Sequence, residues 1–386
     1  MTPEEALDDL TRRGLLRSLK PLPDNRGRLV VDGETWLNFC SNDYLDLGHH
    51  PALAAASVAA VERLGCSAAG SRLVSGHLDL HAEFEARAAA FLGFEAALLF
   101  GSGFLANLGT VPALAGETAT IFCDRLNHAS LIDGIRMSGM KWHRYRHNDP
   151  AHLDELLRKH PAAGGETRLV ITDSIFSMDG DAAPLAAVAE TAKRHGALLL
   201  VDESHAIGVM GPSGKGLCAE FGLAPDAITC GMGKAFGGYG GFVATSKTLA
   251  ALIVNRARSF IYSTGLPPAC VAAGIAAFDL FETEDFGREA MDKARRMHAL
   301  LAEAGFEMPP FASPILPVMV GDNHLAQDFA ARLAARRILC SAIRPPTVPP
   351  GTARLRLTVT RAHTEADMLT ARDAFAAVAR ELGLLR

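Results

Sequence analysis

Basic residues do not outnumber acidic ones in this sequence: 38 Lys and Arg stand against 43 Asp and Glu, for a formal net charge of −5. That balance leaves no basic footprint for nucleic acid and no polybasic anchor for a membrane surface. The seven cysteines, at 40, 66, 123, 218, 230, 270 and 340, form no Cys-x-x-Cys pair, and an odd, scattered set argues against a disulfide framework. The opening MTPEEALDDL is acidic and lacks the apolar core of a secretory signal. A cytoplasmic enzyme with a small-molecule partner is the expectation. One uncharged stretch, Ala96 to Gly116, is long enough to span a bilayer. Its Gly101, Ser102, Gly103, Asn107, Gly109, Thr110 and Pro112 fit a buried strand, a glycine turn and a helix start better.

What is present points to an α/β fold. Ala96 to Phe100, Ala119 to Cys123, Arg168 to Thr172 and Ala197 to Val201 are nearly unbroken apolar runs, and the last three are followed by Asp124, Asp173 and Asp202. Runs of that length suit strands covered on both faces, as in a mostly parallel sheet. Helical patterns such as Leu185 to His195, closed by Gly196, lie between them. After Pro267-Pro268 come helices near 285–305 and 324–336, strand-like segments near 338–344 and 353–360, and a final amphipathic helix from about 364. At 386 residues two lobes are expected. They are a large α/β domain over 46–275 and a smaller α+β domain over 276–386, joined by an N-terminal segment, 1–45.

Residues 230–241, CGMGKAFGGYGG, set Lys234 among six glycines. A P-loop fails here, with Ile228 in place of its first glycine and Ala235 after the lysine. A solvated lysine in a glycine loop fits these twelve residues as well as any functional reading. Upstream, VDESHAIG (201–208) puts Asp202 at the carboxyl end of an expected buried strand, where open α/β sheets bind ligands, with His205 three residues later. No further His or Cys lies at ligand spacing, so no metal is expected.

A lysine amine forms an imine with an aldehyde, and pyridoxal 5'-phosphate supplies one together with a pyridine nitrogen, a phenolic oxygen and a phosphate. Asp202 would hold the ring nitrogen protonated, His205 would donate to the phenolic oxygen, and the phosphate would sit on Gly101-Ser102-Gly103-Phe104 at a helix start. The glycines would let the backbone turn beside a flat cofactor. A rival reading takes Gly101 to Ala106 as a GxGxxA fingerprint with Asp124 about 20 residues on, the mark of a nicotinamide dinucleotide oxidoreductase. It leaves Asp202, His205 and Lys234 without roles.

With these residues in place the chain resembles the α-oxoamine synthases, pyridoxal-phosphate enzymes of the aspartate-aminotransferase fold (fold type I). The resemblance runs from about Arg17 to the last helix. It rests on NFCSNDYLDL (38–47), FGSGFLAN (100–107), DRLNHASLIDG (124–134), FSMDGDAAPL (176–185), VDESHAIGVMG (201–211), GKAFGGYGG (233–241), IYSTGLPP (261–268) and AIRPPTVPPGTARLRL (342–357). The last motif resembles the branch acting on L-alanine and a pimeloyl thioester, carried on coenzyme A or an acyl carrier protein, in biotin synthesis. Its relatives use glycine or serine instead.

The resemblance implies that Lys234 is the imine lysine and the acid/base at the substrate Cα, and that His128 stacks on the cofactor ring. It places Gly103 and Phe104 at the phosphate and Ser177 on the cofactor. Arg17, Thr347 and Asn42 fall to the substrate, and Arg356 to a carboxylate. Ser263 and Thr264 would approach the phosphate from the other subunit of a homodimer. Without the family, His128 reads as a loop histidine, Ser177 as a turn serine, and Arg356 as the polar face of an alternating strand. The family commonly carries Ser or Thr three residues before the lysine to meet the phosphate, and Gly231 stands there, which removes one hydrogen bond. Cys40 and Asp46 also depart from the pattern.

Overall fold

The computed structural model describes residues 1–385. Every apolar run read above is a strand of one seven-stranded sheet. Its order is Ala96–Phe100, Gly241–Thr245, Ala227–Gly231, Leu198–Asp202, Thr167–Asp173, Ala119–Asp124 and Lys141–Tyr145. The five strands from Ala227–Gly231 to Lys141–Tyr145 run parallel, and Gly241–Thr245 pairs antiparallel with both its neighbours. The sheet is the core of a compact unit formed by residues 47–176 and 182–287.

Side chains along each strand alternate between faces, so a strand covered on both sides must be apolar throughout. On one face Leu98, Phe100, Ile121, Leu169, Leu200 and Val243 meet Val111, Leu131 and Ile253 from the helices Gly103–Ala115, Ala129–Ser138 and Lys247–Arg256. Phe242 belongs instead to a cluster with Phe84, Phe236 and Phe278, in which Phe236 meets Phe278 edge-on at 5.1 Å. The 96–116 stretch is therefore a strand followed by a helix. Among the described residues no helix is long and apolar enough to cross a membrane.

The amino end of the Gly103–Ala115 helix presses against two strand ends. A Cβ on Gly103 would lie 2.7 Å from Gly231 Cα, and one on Gly241 would lie 2.3 Å from Gly103 N. At Gly241 the glycine therefore admits the chain's own backbone, a different reason from the room for a flat cofactor expected above.

The second compact unit comprises residues 1–46, 177–181 and those from 288 onward. Ile315–Gly321, Ala353–Thr358 and Ser341–Ile343 form an antiparallel sheet in that order, and Arg28–Val31, Glu34–Asn38 and Ile338–Leu339 form a second small one. The helices Phe286–Glu303, Asn323–Ala335 and Glu365–Glu381 supply Leu300, Phe329 and Phe375 to its core. The larger unit runs to Gly287, past the boundary expected at 275, because the helix Pro268–Thr283 packs on Pro51–Leu64 and Asp79–Leu92.

The short segment 177–181 falls to the smaller unit although the sheet strand before it belongs to the larger. Gly180 has φ +70°, and a Cβ there would meet Ile315 O at 2.1 Å, so only glycine fits. Ser313 Oγ donates to Gly180 O at 2.7 Å, and Arg354 pairs with Asp179.

Candidate active site

In the larger unit the parallel strands bring two carboxylates side by side, since Asp173 and Asp202 are partners in register at the strand ends. Both are buried. Two ionised carboxylates so close repel, and their surroundings decide which one keeps the charge. Asp202 accepts from Asn107 Nδ2 at 2.6 Å and from Ser204 N at 2.8 Å. Asp173 receives the backbone N–H of His128 at 2.9 Å, and burial together with the Asp202 charge pushes its pKa well above the usual carboxylate range. Asp202 thus has two fixed donors, and its charge is one of the causes that strengthen Asp173's hold on its proton.

Asn107 is the hub of a buried network. Thr229 Oγ1 donates to its Oδ1 at 2.6 Å, and its amide reaches Ser130 Oγ at 2.9 Å as well as Asp202. Ser130 Oγ lies 2.7 Å from His128 Nδ1, which also accepts the Ser130 N–H at 3.3 Å. That N–H places the proton of the neutral ring on Nε2. His128 caps the helix Ala129–Ser138. Burial lowers its basicity, with the Asp202 charge opposing and the Lys234 charge adding to the effect. His205, three residues beyond Asp202, is buried too.

Lys234 is half-buried, and its Nζ would lie 3.4 Å from a Cβ on Gly231. Its charge is felt at His128, Asp173 and Cys230. Gly103 is the first residue of its helix, with Ser102 Oγ accepting from Leu105 N at 3.2 Å. The amino-terminal N–H groups of such a helix have no intrahelical acceptor and favour an anion. Phe104 is exposed beside them. Ser263 and Thr264 line a small pocket with Gly101 and Arg72.

This donor set fits pyridoxal phosphate: a fixed carboxylate, an amine whose charge reaches the same imidazole, that imidazole and a helix amino end. Asp124, required by the dinucleotide reading, is fully buried. It is occupied by Leu126 N at 2.8 Å, Asn148 N at 2.9 Å and His147 Nδ1 at 3.0 Å, so no edge is left for a ribose.

The smaller unit holds the other expected residues. Arg356 lies on the central strand Ala353–Thr358 and is buried, which removes the reading of it as a solvated strand face. Its Nε donates to Ser177 O at 2.5 Å, Nη1 to Thr358 Oγ1 at 2.7 Å and Nη2 to Asn42 Oδ1 at 3.1 Å. These partners are all neutral. A buried guanidinium without a carboxylate partner is a seat for an anion. The nearby Tyr44 hydroxyl is buried, which pushes its pKa up to about 12 against the opposing pull of Arg356. Arg17 Nη2 reaches Pro345 O at 3.3 Å and Thr347 Oγ1 at 3.4 Å. Cys40 contacts Ser341 Oγ at 3.3 Å, and Asp46 takes φ +55°.

Asn107, Ser130, Thr229 and Asp173 were not singled out in the sequence. Asn107 sits at a buried position of an apolar helix and Thr229 inside an apolar strand, so both read as core. Asp173 offered the one available signal, an acidic residue ending an apolar run as Asp202 does.

Residues 34–375 match the family of class I and II aminotransferases. The 8-amino-7-oxononanoate synthase of Geobacter sulfurreducens is 45% identical over 98% of this chain and 98% of its own. That of Anaeromyxobacter dehalogenans is 46% identical over 97% and 95%. Among solved structures, a serine palmitoyltransferase of S. paucimobilis with a bound PLP–myriocin aldimine superposes with a TM-score of 0.91 at 29% identity, covering 99% and 98%. An 8-amino-7-oxononanoate synthase of Francisella tularensis gives a TM-score of 0.77 at 27% identity, covering 90% and 98%. With a family match across most of its length and full-length relatives above 40% identity, the chain belongs to the class I and II aminotransferase family and, within it, to the 8-amino-7-oxononanoate synthases.

Proposed function

We propose that this protein uses pyridoxal 5'-phosphate to condense L-alanine with a pimeloyl thioester, giving 8-amino-7-oxononanoate, CO2 and the free thiol, in the cytoplasmic synthesis of biotin. The observation that carries the chemistry is the Asp202 carboxylate, fixed by Asn107 and Ser204, whose charge and that of the Lys234 amine are both felt at His128. When bound, the cofactor supplies an aldehyde for amines and a ring that delocalises negative charge from the amino acid Cα.

The chain's own groups do the rest. Lys234 would hold the cofactor through its amine and is the group that would move the proton at the substrate Cα. Asp202 would keep the ring nitrogen protonated, and His205 would donate to the phenolic oxygen. His128, fixed by Ser130 and Asp173, provides a flat surface against the ring. Gly103 and Phe104, at the helix amino end, would hold the phosphate with Gly231, and Ser177 would add a contact to the cofactor. Arg356 takes a carboxylate with Asn42 beside it, and Arg17 with Thr347 takes the acyl substrate. Ser263 and Thr264 serve the partner's site in a homodimer.

Product analysis tests the proposal. The purified enzyme, given pimeloyl-CoA or a pimeloyl carrier protein with alanine, glycine or serine, is expected to release 8-amino-7-oxononanoate from alanine and little product from the other two. Preference for glycine or serine would assign it to a sister activity, and no condensation with any of them would refute the reading.

A further inference from the structure

Ser204 occupies a buried corner between two groups already assigned. It is 6% exposed. Its backbone N–H donates to Asp202 Oδ1 at 2.8 Å, and its Oγ accepts the N–H of Gly231 at 2.8 Å. The hydroxyl proton finds no acceptor among the described residues. A buried hydroxyl with its lone pair engaged and its proton unspent is an unused donor.

The geometry around Gly231 shows where that donor lies. A Cβ on Gly231 would stand 3.4 Å from Ser204 Oγ and 3.4 Å from Lys234 Nζ, both ordinary contact distances. Gly231 also lies outside the left-handed region, so neither crowding nor backbone strain calls for glycine there. The space its absent side chain leaves is bordered by the Ser204 hydroxyl, the Lys234 amine and, through Gly103 Cα at 3.6 Å, the amino end of a helix. Both the lysine cation and the helix end favour an anion in that space.

We propose that Ser204 is a cofactor-binding residue, its hydroxyl donating to an anionic oxygen of pyridoxal phosphate and doing from the adjoining turn what a hydroxyl on residue 231 would do. The assignment rests on pyridoxal phosphate being the cofactor. Two oxygens have the right chemistry, the phosphate and the phenolate, and they differ in what they report. A phosphate contact sets affinity alone, whereas a phenolate contact also sets the pKa of the visible chromophore of the holoenzyme.

The test is titration of the apoenzyme with pyridoxal phosphate for wild type, Ser204→Ala, Ser204→Cys, which keeps the volume but donates weakly, and the double variant Ser204→Ala/Gly231→Ser. The melting temperature of each apoprotein is measured alongside. The expected result is affinity about 10-fold weaker in both single variants, as for the loss of a hydrogen bond to a charged group, with most of it restored in the double variant. Loss with an unchanged chromophore pKa assigns the phosphate and loss with a shifted one the phenolate; either supports the proposal. Binding by both single variants within twofold of wild type overturns it, as does a loss confined to Ser204→Ala that follows a lower apoprotein melting temperature. Wild-type apoprotein that takes up no pyridoxal phosphate overturns the cofactor reading itself.

Discussion

In the larger unit the acidic groups of the site stand at the ends of strands, where Asp173 and Asp202 cap apolar runs. In the smaller unit the basic groups stand in the middle of one: Arg354 and Arg356 lie within Ala353–Thr358, every residue of which is buried. The first arrangement follows from a parallel sheet, whose strand ends open toward loops and ligands. The second needs a partner brought from elsewhere, and the segment 177–181 supplies it through Asp179 and Ser177. The two arginines, two residues apart on one strand, thereby differ in kind. Arg354 has a carboxylate of its own, and the partners of Arg356 among the described residues are neutral.

The sharpest way to break the comparison is at Lys234. Its replacement by Ala removes the amine whose charge is felt at His128 and Asp173, and is expected to lower kcat by about 10⁴-fold or more and to abolish the visible absorption band of the holoenzyme. Retention of the band would dissolve the strand-end site.

The arginines come next. Arg356→Lys keeps a charge and loses the fork, so KM for alanine is expected to rise about 100-fold while the melting temperature stays near wild type. Arg354→Ala should do the opposite. It lowers stability by about 2 kcal/mol, less than a fully buried pair because Asp179 is about one-third exposed, and leaves KM for alanine unchanged. Exchange of these two outcomes, read by steady-state kinetics and thermal melting, would reverse the roles.

The smallest effect sharpens the comparison by sign, since each unit also buries one neutral histidine. His81 in the larger unit sits 2.9 Å from Leu266 O, and His363 in the smaller stacks on Phe39 at 4.1 Å. Burial is the largest cause holding each imidazole's pKa down to about 4. An unfolded histidine takes its proton near 6.5. Between those values the unfolded chain binds more protons, so the stability present above pH 6.5 is lost as pH falls toward 4. Each histidine is expected to contribute about 2 kcal/mol of loss between pH 7 and pH 5. Urea denaturation at the two pH values, with His81→Asn and His363→Asn each losing less than wild type, checks this. Equal losses in wild type and variants would remove the histidines as the cause.

Much of the larger unit could be read in advance because its signals are local. Apolar runs of five residues closed by glycine or an acid suit strands covered on both faces, and an acidic residue ending such a run suits the ligand edge. Asn107 and Thr229 stayed hidden for the same reason: inside an apolar helix and strand, a polar residue that will be fully hydrogen-bonded looks like an exception to the pattern. Arg356 could be assigned only through the family resemblance, since an alternating RLRL strand ordinarily turns its arginines to water. Its burial depends on residues 177–181, more than 170 positions away.

The order of residues thus dictated the elements and the chemical kinds available, because periodicity and strand-end polarity act over a few neighbours. Folding in three dimensions chose which carboxylate takes which donors, which arginine meets an acid and which backbone meets each glycine. Those outcomes depend on burial and on donors brought together from distant parts of the chain, and no local pattern encodes them.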